Sequence, residues 1–195
     1  VNLYDIKQTP KYSMKTLAYH EATPGHHHQI AHSLENDELT LYRRFGYSTS
    51  AFSEGWALYS EQLALEAGLA PDPYDELGIL QSEIFRAVRL VVDTGIHYKK
   101  WTREEAIAYM KAKTGMSDTE CRVEIERYIV WPGQALSYKV GMIKILELRE
   151  KAMNALGDKF NIKDFHSAVL DNGNPPLFIV EQMVDEMIAE ALETN

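Results

Sequence analysis

The stretch of this chain richest in reactive side chains is Tyr19-His-Glu-Ala-Thr-Pro-Gly-His-His-His-Gln29, which carries four of the seven histidines. A His-Glu pair with a second His about one helical turn later is an arrangement in which two imidazoles hold zinc. The glutamate then acts as general base on the water that the metal activates. In the usual spacing the second His falls four residues after the first, but here that position is Pro24. His27, seven residues after His20, returns to the same helical face but lies about 10 Å further along a straight helix. That is too far to share one ion at about 2.0 Å per ligand. His26 is off-face in a regular helix, yet a bulge at Pro24-Gly25, where the hydrogen-bond ladder must break, brings it to the place that i+4 normally holds. His26 is the preferred second ligand and His27 the alternative, while His28 and His32 are read as supporting or solvent-facing.

A third ligand is expected from Ser53-Glu-Gly-Trp-Ala-Leu-Tyr-Ser-Glu61, where Glu54 follows His26 by 28 residues on a second helix. Two His and one Glu, with the fourth position left to water, is a known catalytic zinc composition. Glu61 lies seven residues after Glu54 on the same face and is placed to accept a hydrogen bond from a ligand imidazole, fixing its tautomer. Trp56 and Tyr59 are read as packing residues. The competing reading is a histidine cluster that binds metal without catalysis, or none at all.

Two later stretches add candidates. Arg89, Asp93 and His97 share one stripe of a long helix at i, i+4 and i+8. As a surface ion pair such a stripe is worth little. Lining a cleft, His97 would donate to a developing oxyanion, Arg89 would hold a substrate carboxylate, and Asp93 would support them. The other stretch runs from Arg122 through Glu126, Arg127 and Tyr128 to Trp131-Pro-Gly-Gln-Ala-Leu-Ser-Tyr138-Lys-Val-Gly141, where the Pro-Gly break re-aims the side chains around it.

His20-Glu-x-x-Pro-Gly-His26 with Gln29, followed by Glu54-Gly-Trp-Ala-x-Tyr59, resembles bacterial domain-of-unknown-function family 885. That family is similar to the gluzincin metallopeptidases, including enzymes like thimet oligopeptidase and carboxypeptidase Taq. The resemblance extends in identifiable motifs from Tyr19 to Tyr138. It implies His20, His26 and Glu54 as zinc ligands and Glu21 as general base. It also implies a phenol that stabilises the tetrahedral intermediate, with Tyr138 the first choice and Tyr128 the second, the latter against the substrate. Some gluzincins carry an acidic residue four positions after the ligand Glu; position 58 here is Leu, so Glu61 stands in that role. Family members look much longer than this chain, with a helical region ahead of the motif. The resemblance therefore implies a C-terminal catalytic portion whose cleft is completed by the missing N-terminal region.

The elements that must position these groups read as helices. Residues 1–13 enter as strand or loop, and residues 14–34 are helical but broken at Pro24-Gly25. Further helices are expected over 51–68 and 73–99. Thr102-x-x-Glu105 opens one that Gly115 ends, and Ser117-x-x-Glu120 opens another to Val130. Helical periodicity resumes over 134–155, and helices near 162–171 and 176–193 close the chain. Met142, Ile145, Leu146 and Leu148 read as core, as do Phe178, Val180, Met183, Val184 and Met187. β-branched alternation is scarce, so the expected fold is all-α and multi-helix over 1–195 with the metal site on two helices, and the resemblance implies a zincin-like catalytic domain.

With 195 residues and 45% hydrophobic content the chain can bury a sizeable core. A net charge of −9 with scattered basic groups argues against nucleic acid as a partner. No apolar run reaches the ~18 residues of a membrane span. Cys121 is the only cysteine, so any metal must be held by His and carboxylate. The compartment stays open. The expected function is zinc-dependent hydrolysis, foremost of a peptide or similar amide. The alternatives are a non-catalytic metal-binding module and a structural helical module of a larger protein.

Overall fold

Helix boundaries in this chain are set locally, by caps and breakers that can be named. In the computed structural model, which describes residues 10–46 and 48–193, two capping boxes start adjacent helices. Thr102 and Glu105 exchange side-chain and backbone bonds at the start of α5 (Arg103–Thr114), and Ser117 and Glu120 do so at the start of α6 (Asp118–Val130). Gly115, at φ 68°, ends α5 in the left-handed conformation that glycine takes without penalty. Asp72 accepts from the Tyr74 N–H and, with Pro73 in the first turn, opens α4 (Pro73–His97). The remaining helices are α1 (Tyr12–Glu21), α2 (His26–Glu35), α3 (Ser50–Glu66), α7 (Ser137–Leu156), α8 (Ile162–Leu170) and α9 (Leu177–Glu193). A π-helical turn at Tyr42–Gly46 precedes α3, and a 3-10 turn at Gln134–Leu136 follows the Trp131-Pro-Gly break. The described residues are thus all helix and connection, with no strand among them. Residues 1–9, part of the expected N-terminal entry, lie outside the described residues.

α3 is the central element. Phe52, Trp56, Leu58 and Tyr59 are buried on several sides of it, as expected of a helix enclosed by neighbours. It packs along α7, touches α1, α2 and α4, and shares its core with α8 and α9 through Ile145, Leu148, Phe165, Val169, Val180 and Val184. A second, smaller core joins α4, α5 and α6 through Val88, Val92, Met110, Cys121, Ile125 and Tyr128. Phe178 is a correction to the sequence reading: it is 63% exposed. Val180, Val184 and Ile188 form the buried stripe of α9 at i, i+4 and i+8, and Phe178 falls off it.

α3 and α7 approach so closely that backbone meets backbone. A Cβ on Gly55 would lie 2.5 Å from the Gly141 Cα, and one on Gly141 would lie 1.8 Å from the Ala51 carbonyl oxygen. This crossing fixes the rotation of α3 and hence the direction in which Glu54 points.

One buried polar pair in this core couples stability to pH. The Tyr59 hydroxyl donates to His166 Nε2 at 2.8 Å, and burial pushes that phenol up to about 12. Burial, followed by the charge of Arg149, pulls the His166 imidazole down to about 4. Between the unfolded value near 6.5 and about 4, the unfolded chain takes up a proton that the folded chain refuses. This contribution is therefore complete above about pH 6.5 and is lost as pH falls through that window. The ring is partly exposed, so screening reduces the loss to about 1 kcal/mol. Urea midpoints at pH 7.5 and 5.0 should differ more for the wild type than for His166→Gln; equal differences would remove this assignment.

Candidate metal centre

His20 lies in the last turn of α1 and His26 is the first residue of α2. Pro24-Gly25 does not make the bulge within one helix that the spacing suggested. It ends one helix and starts another, so the centre is spread over three helices instead of two. Proline cannot continue the ladder of α1, and Gly25 lets the turn fold back tightly, since a Cβ there would sit 1.9 Å from the His20 carbonyl oxygen. Two contacts hold the turn. Trp56 Nε1 donates to the Pro24 carbonyl at 2.8 Å, joining α3 to the turn, and buried Gln29 donates to Asn174 Oδ1 at 2.8 Å, joining α2 to the loop before α9.

The outcome is a compact donor set. His26 Nε2 lies 3.1 Å and His20 Nε2 3.6 Å from Glu54 Oε2, and one ligand atom from each of the three residues lies within 4.8 Å of the others. Two ligands of a tetrahedral zinc at about 2.0–2.1 Å stand roughly 3.3 Å apart, so this donor set fits such an ion in both spacing and chemistry. The His20 and His26 rings meet edge to face with centroids 4.9 Å apart. His27 is exposed and outside this group.

Glu61, 2% exposed, places Oε1 2.7 Å from His20 Nδ1. With Nδ1–H donating to it, Nε2 keeps its lone pair toward Glu54 and His26. Burial alone would raise the Glu54 pKa, but hydrogen bonds and charges from His20 and His26 overcome it and bring the carboxyl down to about 2. Burial also opposes charge on His20, and Glu54 and Glu61 outweigh it, so its pKa is raised. Glu61→Gln keeps the shape and removes the anion that makes His20 a strong donor. It should weaken zinc binding about 10-fold, and Glu61→Ala nearer 100-fold, by chelator competition. Unchanged affinity in both would show that Glu61 does not support the ligand.

The other residues singled out by sequence fall in three places. Glu21 closes α1 beside His20 and is exposed. Tyr138, 7% exposed on α7, stacks on His20 with centroids 6.0 Å apart and an interplanar angle of 20°. Arg89 packs 4.7 Å from the Tyr138 ring centre, but its Nε donates to the Tyr128 hydroxyl at 2.8 Å and its Nη2 to Glu124 at 2.9 Å. The Tyr128 hydroxyl donates in turn to Glu124 at 2.6 Å, and burial pushes that phenol far up. Asp93 and His97 serve the Pro-Gly break: Asp93 accepts from the Gly133 N–H at 3.1 Å, and His97 Nε2 donates to the Tyr128 carbonyl at 2.9 Å. His97 stands 11 residues beyond Arg86 on α4, roughly 16 Å along its axis.

Sequence reasoning missed Arg86 and Thr16, which the fold brings beside His20 and Glu61 in a cleft of about 620 Å³ between α1, α4 and the α5–α6 connection. Thr16 precedes His20 by four residues, a helical spacing that offered a signal. Nothing in the spacing of Arg86 distinguished it from a surface cation.

Over residues 1–184 the chain matches the family of bacterial proteins of unknown function DUF885. A solved structure of a candidate lipoprotein from Colwellia psychrerythraea is 54% identical, with a TM-score of 0.93 over 97% of this chain and 32% of that one. A candidate lipoprotein of unknown function from Shewanella oneidensis is 29% identical, with a TM-score of 0.83 over 91% of this chain and 32% of that one. The chain thus spans about a third of the length of these relatives. No curated protein matches it. Among the described residues, no helix is long and apolar enough to cross a membrane.

Proposed function

The chain belongs to the DUF885 family of bacterial proteins, and from that premise we propose that it is the catalytic portion of a zinc-dependent hydrolase, foremost a peptidase of gluzincin-like chemistry. The observation that carries this reading is the convergence of His20, His26 and Glu54 with a buried Glu61 behind His20. His20, His26 and Glu54 would hold the ion, which when bound supplies a Lewis acid and acidifies water. Glu21 takes the proton of the attacking water and passes it to the leaving amine. Tyr138, packed against His20, offers its phenol to the oxyanion. His97 bonds the Tyr128 carbonyl and the Tyr128 hydroxyl donates to Glu124, which leaves Tyr138 the best placed of the three oxyanion candidates.

In this reading a region ahead of this portion, within the two thirds of the longer relatives that this chain does not cover, completes the substrate cleft. Because both solved relatives are described as candidate lipoproteins, we place such full-length proteins at a bacterial membrane surface. The alternative, a metal-binding module without catalysis, shares the same centre. Elemental analysis of tag-free protein tests the shared premise: about one zinc per chain is expected, and none after zinc is supplied would sink both readings. Hydrolysis within a peptide library then separates them.

A further inference from the structure

Among the described residues, the cleft beside His20 ends in polar atoms that lack a hydrogen-bond partner. Among the buried polar atoms without a hydrogen bond are Thr16 Oγ1, Glu61 Oε2 and Arg86 Nε, and all three residues line this one cleft. Thr16 is 3% exposed and Glu61 2%, so water outside the cleft does not serve them. Arg86 is held in place by rings: its guanidinium lies 4.8 Å from the centre of Phe85 and 5.0 Å from that of Tyr138. Among the described residues no carboxylate comes within ion-pair distance of it, whereas its neighbour Arg89 is paired with Glu124. Burial, followed by the charge of Arg89, pushes the Arg86 pKa down, and the charge of Glu61 and the phenols of Tyr138 and Tyr128 offset this only in part. A partly buried cation without an ion-pair partner among the described residues attracts anions, and a planar guanidinium best matches a carboxylate.

We propose that Arg86 captures the carboxylate of a peptide's C-terminus. The ligand's last N–H is received by Glu61 Oε2, and Thr16 Oγ1 completes the contact. This deepens the hydrolase reading and rests on it for the ligand being a peptide; capture of the carboxylate itself needs no metal. The ring of His20 lines the cleft and also faces Glu54, so a peptide end seated at Arg86 enters the metal centre along His20. The site would then favour substrates with a free C-terminal carboxyl group over those with a blocked one.

The test is calorimetric titration of the 195-residue chain, first stripped of metal and then zinc-loaded, with N-acetyl-alanyl-phenylalanine and with its C-terminal amide. The acid should bind at least about 10-fold more tightly than the amide. Arg86→Met should erase that difference, and Arg86→Lys, which keeps the charge without the fork, should restore part of it. Helicity and zinc content should be unchanged in both variants. Equal binding of acid and amide, no measurable binding of the acid, or a preference that survives Arg86→Met would each overturn the proposal, as would inorganic phosphate binding as tightly as the acid. Zinc stoichiometry separates the two claims: a chain that takes no zinc yet prefers the acid overturns the hydrolase and keeps the carboxylate site, and a zinc-binding chain without the preference does the reverse.

Discussion

Glu54→Ala should abolish stoichiometric zinc, whereas Glu21→Gln should keep the metal and lose turnover. Glu54 is the only carboxylate among the three converging donors, and its anion is held low, at about 2, by the two imidazoles it faces. Its removal leaves two histidines whose nearest common partner is gone, and a zinc site reduced from three protein ligands to two. The affinity loss should exceed the 10- to 100-fold that the loss of a supporting residue such as Glu61 costs. Glu21 is different: it follows His20 as the last residue of α1 and stands outside the group of three. As general base it contributes about 10²–10⁴-fold to rate, so Glu21→Gln should lower kcat by that factor at constant zinc content. Elemental analysis and peptide hydrolysis on the same preparations read both effects. If Glu21→Gln hydrolyses at the wild-type rate, the proton goes elsewhere. If the wild type binds one zinc and cleaves nothing, the metal-binding module is the correct reading.

What the sequence revealed of this fold was whatever short-range chemistry decides. The Thr102/Glu105 and Ser117/Glu120 boxes specify helix starts because every atom involved lies within one turn. Pro24-Gly25 likewise announced a break, but not whether it would be a bulge or a full stop, because that depends on Trp56 and Asn174 holding the turn from distant parts of the chain. The same limit applied on α4. Periodicity placed Arg89, Asp93 and His97 on one stripe, yet which neighbours meet that stripe is decided by α6 and the Pro-Gly break. The fold spends those side chains on Tyr128, Glu124 and Gly133 and turns Arg86 toward His20 instead. Phe178 sits in the apolar run Leu177-Phe-Ile-Val180, which has no period of its own, and only the packing of α9 chooses Val180.

The α3–α7 crossing was least legible of all, and Gly141→Ala puts it to the test. In an open helix, alanine for glycine stabilises by about 1 kcal/mol, so propensity alone predicts a gain. Here the new Cβ would lie 1.8 Å from the Ala51 carbonyl oxygen and 2.7 Å from the Gly55 Cα. Both are backbone atoms, and no rotamer change relieves them. α7 must move off α3, loosening the contacts of Trp56, Tyr59, Met142 and Ile145 that make the main core. Overpacking of this kind costs about 3 kcal/mol, a large share of the 5–15 kcal/mol that holds a typical domain together. The melting temperature should therefore fall by roughly 6–12 °C. Gly55→Ala, which meets Gly141 from the other side at 2.5 Å, should cost a similar amount. The double variant should cost less than the sum, because one separation of the helices relieves both clashes. Since α3 carries Glu54 and α7 carries Tyr138 on either side of His20, zinc affinity should fall with stability in these variants. A gain in melting temperature for Gly141→Ala would mean that the two helices do not cross this closely.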